Sequence, residues 1–424
     1  MAAPERRSKT VAPRSDAGPA DRATAPGKFR RSVRLAAIAF IILVLGGLLE
    51  GGARIAFSLR EEIHALPLLS DFLQSGLDLD PYEMPSPAGG LHWVLRPGYQ
   101  ATVQGLIEKK REAGRYLGVR ALKENSGNSG TSAEIVFRIN SDGFKGPEID
   151  RAHARPRILA LGDSTTFGGG AVDYPRVIAA VLGVRGVAAE VINGGVEGYS
   201  PRNVIYELDR YKSLKPEIVT LYIGWNALYA RNPWSTDWEN RVRFFWLAKS
   251  TYRALRLMVN AHGYALSLIN RNPHSDPASS DVARLTAYSP PFLSDIDRII
   301  SALESGGAQV ILVTLPGLFT SSERPSAFAL KKGHMPDFTN NPFVLAKLTE
   351  RYNDALRDLA RRRGLGVIDL EKWSIDAFQP RDAYFTDSVH LNARGLEKIG
   401  AFMAEQLIDK VEKSQAAMKR GANR

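Results

Sequence analysis

Arg157-Ile-Leu-Ala-Leu-Gly-Asp-Ser-Thr-Thr-Phe-Gly-Gly-Gly170 is the stretch from which the rest of the chain can be read. Ile158–Leu161 is a short apolar run of the kind a buried strand needs. Gly162-Asp163-Ser164 breaks it, and past the glycines Tyr174–Leu182 carries apolar residues at helical spacing. A serine hydroxyl therefore falls in the turn after a strand, the edge where open α/β sheets place their sites. A Gly-Asp-Ser triplet by itself is most often a plain turn, so its partners downstream decide the matter.

From Arg157 onward the pattern alternates. Strands are expected at Ile158–Leu161, Glu190–Ile192, Ile218–Ile223, Gln309–Leu315 and Gly366–Leu370. Helices are expected at Tyr174–Leu182, Asn203–Ser213, Leu293–Ser305, Leu345–Arg363 and from Ala393 to about Glu412. Such alternation predicts a parallel sheet with helices on both faces. The domain is expected over 151–412, with a basic tail at 413–424. Its connection 227–291 is far longer than a βα loop requires. That insertion holds an aromatic, basic helical stretch, Phe244–Leu268, and a polar piece, Asn270–Ser280, and reads as a lid or substrate wall.

Upstream, residues 58–150 form a lead-in expected to be β-rich, with strands at His92–Tyr99 and Ile135–Asn140 and a Gly/Ser/Asn loop, Asn125–Ser132, between them. Residues 1–34 are rich in Ala, Pro, Ser and Arg without an apolar period and read as a disordered basic tail. Leu35–Leu49 is uncharged, and continuing to Phe57 makes a span long enough for a bilayer, which needs about 20 residues. Glu50 and Arg54 stand four apart and can pair on one helix face. A cleaved signal peptide fits less well: the charged region before the run is long, and no small-x-small site follows Leu49 cleanly. The reading is a single anchor at 35–57. Lys28, Arg30, Arg31 and Arg34 on its near side are expected to put the N-terminus in the cytoplasm and the domain at 151–412 outside, periplasmic or extracellular.

The formal net charge of +11 does not make a nucleic-acid signature. Nine Lys/Arg against three Asp/Glu in residues 1–34 account for +6 of it, and no basic stripe interleaved with aromatics follows. The chain has no cysteine, which excludes disulfides, thiolate metal sites and a Cys nucleophile.

Four places line up along the expected sheet edge. Ser164 follows the first strand, Asn193-Gly-Gly-Val-Glu-Gly-Tyr-Ser200 the second and Gly224-Trp-Asn226 the third, while Asp387-Ser-Val-His-Leu-Asn392 precedes the last helix. Each suits acyl transfer. A serine hydroxyl needs a base, and of seven histidines His390 alone sits in such a setting. Asp387, three residues earlier, can reach the other imidazole nitrogen and fix the tautomer. An oxyanion needs preorganised donors, which the Ser164 and Gly195 N–H groups and the Asn226 amide can supply. Singly, each place has a bland explanation as a turn, loop or helix start. All four in this order are hard to obtain by chance.

The set resembles the SGNH/GDSL hydrolase superfamily over roughly residues 140–407. The resemblance implies Ser164 as nucleophile, Asp387 and His390 completing a catalytic triad, and Gly195 and Asn226 as oxyanion-hole donors, with Gly194 the fallback for Gly195. It also implies a flavodoxin-like three-layer sandwich with five parallel strands in order 2-1-3-4-5, and neither metal nor cofactor. Asn140-Ser-Asp-Gly-Phe-Lys-Gly-Pro-Glu148 is similar to the lead-in of membrane-anchored bacterial members. Two positions depart: Thr165 replaces the name-giving Leu, and Ala227 replaces the usual Asp, which bears on the loop around Asn226 rather than on a catalytic group. The expected activity is that of a serine esterase, with a short acyl ester of a cell-envelope glycan or lipid as substrate. An O-acetyltransferase using the same triad and a catalytically degenerate envelope scaffold are the alternatives; the complete triad argues against the scaffold.

Overall fold

The computed structural model describes residues 26–62, 79–87, 92–112, 136–170, 172–234, 242, 244 and 273–422. The aromatic stretch of the insertion beyond Phe244 and the loop Asn125–Ser132 lie outside the described residues. Residues 1–55 make one compact unit and 56–424 another.

In the first unit a helix begins at Pro26, inside the stretch read above as a tail, and the helix as a whole runs Pro26–Glu62. Its segment Leu35–Ile55 is long and apolar enough to cross a membrane, and its side chains from Leu35 to Leu49 are all exposed. Arg54 Nε donates to Glu50 Oε1 at 2.7 Å, the pairing expected from their spacing.

The second unit opens with four short strands, β1 (Glu83–Pro85), β2 (Trp93–Leu95), β3 (Gln100–Thr102) and β4 (Val136–Arg138). They form two separate antiparallel pairs, β1 with β2 and β3 with β4. The expected strand His92–Tyr99 is thus cut short. Pro97 and Gly98 turn the chain, and Gly98, at φ 71°, donates its N–H to Asn140 O at 3.0 Å. Tyr82 leads this layer into the main core: its ring lies 5.0 Å from Phe137 and 5.4 Å from Phe167.

The main sheet contains β5 (Arg157–Gly162), β6 (Glu190–Gly195), β7 (Ile218–Tyr222), β8 (Gln309–Val313) and β9 (Gly366–Ile368). All neighbours are parallel and the order is β6-β5-β7-β8-β9, the 2-1-3-4-5 arrangement expected. Helices cover both faces, so Ile158, Leu159, Ala160 and Leu161 are all fully buried; this is why β5 reads as an unbroken apolar run rather than an alternation. Register sets up the site. Gly162 lies opposite Gly195 on one side and Tyr222 on the other, so the segments after all three strands leave the sheet together.

Helix boundaries follow local chemistry. Pro342–Arg363 starts ahead of the expected Leu345 because Asn341 caps it, accepting from the Phe343 N–H, with Pro342 in the first turn. The expected helix Asn203–Ser213 divides into Pro201–Tyr206 and Leu208–Ser213. Between them sits Glu207, whose carboxylate takes buried bonds from Ser86 and His92 at 2.7 and 2.8 Å. The last helix runs Ala393–Ala422, so residues 413–422 continue it instead of forming a separate tail. Val411 is fully buried and Gln415 Nε2 donates to Ala188 O, which hold that extension to the domain.

Candidate active site

Ser164 opens a four-residue helix, Ser164–Phe167, directly after β5. Asp163 caps it: Oδ1 accepts from Thr165 N at 3.0 Å and from Thr165 Oγ1 at 2.7 Å. The turn is tight enough to need glycines beside it for space. A Cβ on Gly162 would stand 2.0 Å from Thr166 Oγ1, and one on Gly195 would stand 2.2 Å from Phe167 N. The helix backbone therefore rests directly on β6, and the Ser164 side chain is left half-buried at the sheet edge.

His390 and Asp387 arrive from the loop before the last helix. His390 Nε2 lies 2.7 Å from Ser164 Oγ, and His390 Nδ1 lies 2.7 Å from Asp387 Oδ2. The other oxygen, Asp387 Oδ1, accepts the N–H groups of Val389 and His390 at 2.9 and 2.8 Å, so the carboxylate is clamped by its own loop. Nδ1–H donating to Asp387 leaves Nε2 as the acceptor facing the serine. Burial alone would pull the imidazole down, but the Asp387 carboxylate outweighs it and holds His390 at about 9. Burial would likewise raise Asp387, yet His390 beside it keeps the carboxyl well below the usual carboxylate range. The arrangement can take a proton from the Ser164 hydroxyl onto His390 and stabilise the resulting imidazolium.

The expected oxyanion donors are placed differently from one another. Asn226 lies in the first turn of the helix Trp225–Ala230, after Gly224, whose φ of 148° and contact with the Tyr352 ring admit no side chain. Asn226 Nδ2 donates to Tyr199 O at 2.9 Å, which uses one amide hydrogen and leaves the second. Ala227, at the position that departs from the family pattern, packs against the core. The Gly195 N–H donates to Asn193 Oδ1 at 3.0 Å inside the sheet, so that hydrogen is engaged and Gly195 serves close packing instead. Three residues on, Gly198 is exposed on the turn that Asn226 reaches through Tyr199 and has φ 77°. Among the described residues no hydrogen bond engages the N–H of Gly198 or of Ser164.

Two neighbours carry no motif. His334 lies stacked 6.5 Å from the His390 ring, with Nδ1 3.8 Å from Asp387 Oδ2, so a second histidine stands beside the same carboxylate. Burial pulls its pKa below the ordinary imidazole value. Its carbonyl accepts from Tyr229 Oη at 3.0 Å. Glu197, next to Gly198, is held from the lead-in: Trp93 Nε1 donates to its carbonyl at 3.0 Å, Tyr82 Oη to its carboxylate, and Lys110 Nζ stands 3.4 Å from it. Asp80, Glu83 and Glu197 form the one close acidic group among the described residues, and Lys110 already supplies a cation there, 3.0 Å from Asp80. Sequence spacing could not have pointed to these contacts, since none lies within a strand–turn unit.

Residues 160–398 match the model of the GDSL-like lipase/acylhydrolase family. No curated protein sequence matches the chain. Among solved structures, the chain is similar to the acetyl xylan esterase AlAXEase at 17% identity, over 59% of this chain and 100% of that one, with a TM-score of 0.36. It is similar to the lipase/acylhydrolase from Enterococcus faecalis at 18% identity, over 60% and 96%, also at 0.36. It is also similar to the acetylxylan esterase Axe2 from Geobacillus stearothermophilus at 16%, over 59% and 93%, again at 0.36.

Proposed function

Because this chain belongs to the GDSL-like lipase/acylhydrolase family, we propose that it is a serine esterase in which Ser164 attacks an acyl ester. His390 is the base and then the acid, and Asp387 fixes its tautomer. The observation that carries the reading is the continuous chain Ser164 Oγ–His390 Nε2, His390 Nδ1–Asp387 Oδ2, at 2.7 Å for each link. Attack places negative charge on the ester carbonyl oxygen. The Ser164 N–H, the second Asn226 hydrogen and the Gly198 N–H are the donors proposed for it, Gly198 taking the place first expected of Gly195.

The substrate proposed is a short acyl ester carried by a cell-envelope glycan or lipid, acted on by a domain 151–412 tethered by the span at 35–57. A panel of acyl esters differing in chain length tests the activity, using the full chain in detergent. Added sugar acceptors then separate hydrolysis from transfer: acetylated sugar in place of free acetate would make the enzyme an O-acetyltransferase, and no turnover with any ester or acceptor would favour a scaffold.

Asn226→Ala is expected to lower kcat about 10²- to 10³-fold with little change in KM, because the charge it meets develops only in the transition state. A raised KM at constant kcat would make Asn226 a ground-state binder instead. For topology, the basic residues before Leu35 favour a cytoplasmic N-terminus and an outward Ser164. A reporter active only outside the cytoplasm, fused after Arg424, should be active and a cytoplasm-only reporter silent. The reverse would put envelope glycans beyond reach.

A further inference from the structure

We propose that Lys145, from the lead-in and outside the stretch matched by the family, is a positioning residue for the Ser164 nucleophile; the inference rests on the esterase reading above. Lys145 is buried, and its ammonium is bonded to Phe167 O at 2.9 Å, Gly168 O at 2.8 Å and Gly170 O at 3.1 Å. Those carbonyls are the last residue of the Ser164 helix and the turn that leaves it. An ammonium has three N–H donors, and here all three have a backbone acceptor on one short segment. Asp173 Oδ2 at 3.4 Å supplies the countercharge, and Nζ lies over the Phe167 and Phe137 rings, 4.9 and 5.5 Å from their centroids.

The grip is two-handed. Asn193 Nδ2 donates to Thr166 O at 3.1 Å and Phe167 O at 3.4 Å from the sheet side, while its Oδ1 takes the Gly195 N–H. The Lys145 backbone itself bridges to Asn193, so both side chains start from one point on the sheet edge. Between them they hold the carbonyls of Thr166, Phe167, Gly168 and Gly170. The hold reaches Ser164 through the Gly168 N–H, which donates to Ser164 O at 3.0 Å. A four-residue helix has too few internal bonds to keep its own geometry. Taking an ammonium out of water is costly even beside a carboxylate. Aliphatic side chains would fill that space at lower cost, but they would leave the four-residue helix free to shift. A nucleophile displaced by about 1 Å loses on the order of 10²-fold in rate.

The test measures, for full-length wild type, Lys145→Met and Lys145→Gln, the rate of fluorophosphonate labelling at Ser164, the kcat and KM for the best ester of the panel, and the folded fraction by circular dichroism. Both variants are expected to stay folded at the assay temperature, with labelling rate and kcat down about 10- to 100-fold and KM within twofold. Labelling and kcat at wild-type level in a folded variant would overturn the proposal. So would a loss of fold in both variants, which would make Lys145 a structural residue, or a rise in KM at unchanged kcat. A wild type that neither labels nor turns over ester sinks the esterase reading itself, and this inference with it, whereas a reactive wild type matched by Lys145→Met sinks the inference alone.

Discussion

Ser164→Ala is expected to remove turnover of every ester the wild type cleaves, a loss on the order of 10⁴-fold or more. No other hydroxyl among the described residues lies within hydrogen-bonding distance of His390 Nε2. The substitution deletes one half-buried oxygen and leaves the cap at Asp163 and both bonds of Thr165 to it intact, so the melting midpoint should barely move. The measurement is kcat/KM for purified wild type and variant, with thermal unfolding alongside. Hydrolysis at the wild-type rate by a folded Ser164→Ala protein would eliminate Ser164 as nucleophile and with it the proposed reaction.

Asp387→Asn is expected to cost about 10⁴-fold in kcat with the fold retained, because it inverts the tautomer. The amide oxygen can keep accepting the N–H groups of Val389 and His390, now received by Asp387 Oδ1. That choice turns the amide NH₂ towards His390 Nδ1, which must then present a lone pair and carry its proton on Nε2, where the serine needs an acceptor. The same variant predicts a change in pH dependence. The proposed base is the deprotonated imidazole, and with a pKa raised to about 9 the kcat/KM of the wild type is expected to climb with pH through that region. Removing the carboxylate removes the cause of the rise, so the midpoint of the remaining activity should fall towards or below the ordinary histidine value of about 6.5. Activity within tenfold of wild type, or an unmoved midpoint, would show that Asp387 neither orients nor charges His390.

Much of this site was legible because its parts are local. Gly162-Asp163-Ser164 needs only a strand and a sharp turn, and Asp387-x-x-His390 needs only one loop to bring a carboxylate to its own imidazole. Alternation of apolar runs and helical periods was enough to predict a parallel sheet, whereas the order of its strands came from the family resemblance. At Gly195 the sequence expectation and the observed hydrogen bond differ. Of the two glycines after Asn193, Gly195 was expected to face a substrate, with Gly194 the fallback, and only the pairing of Gly195 with Gly162 reveals that its N–H turns to Asn193 Oδ1 inside the sheet. The helix Pro342–Arg363 was misjudged at its start because apolar periodicity begins later than the Asn341 cap that starts it.

By itself, then, the sequence determined the parallel α/β class, the nucleophile, base and acid candidates, and the apolar N-terminal span, since each depends on residues near one another in the chain or on a repeating period. Tertiary structure alone decided which N–H groups beside Ser164 stay unengaged among the described residues, that His334 stands beside Asp387, and that Lys145 grips the turn behind Ser164. Those facts depend on which backbone carbonyl or hydrogen faces which distant side chain. That is set by strand register and by the packing of the lead-in on β6, and a side-chain pattern read along one chain carries no record of either.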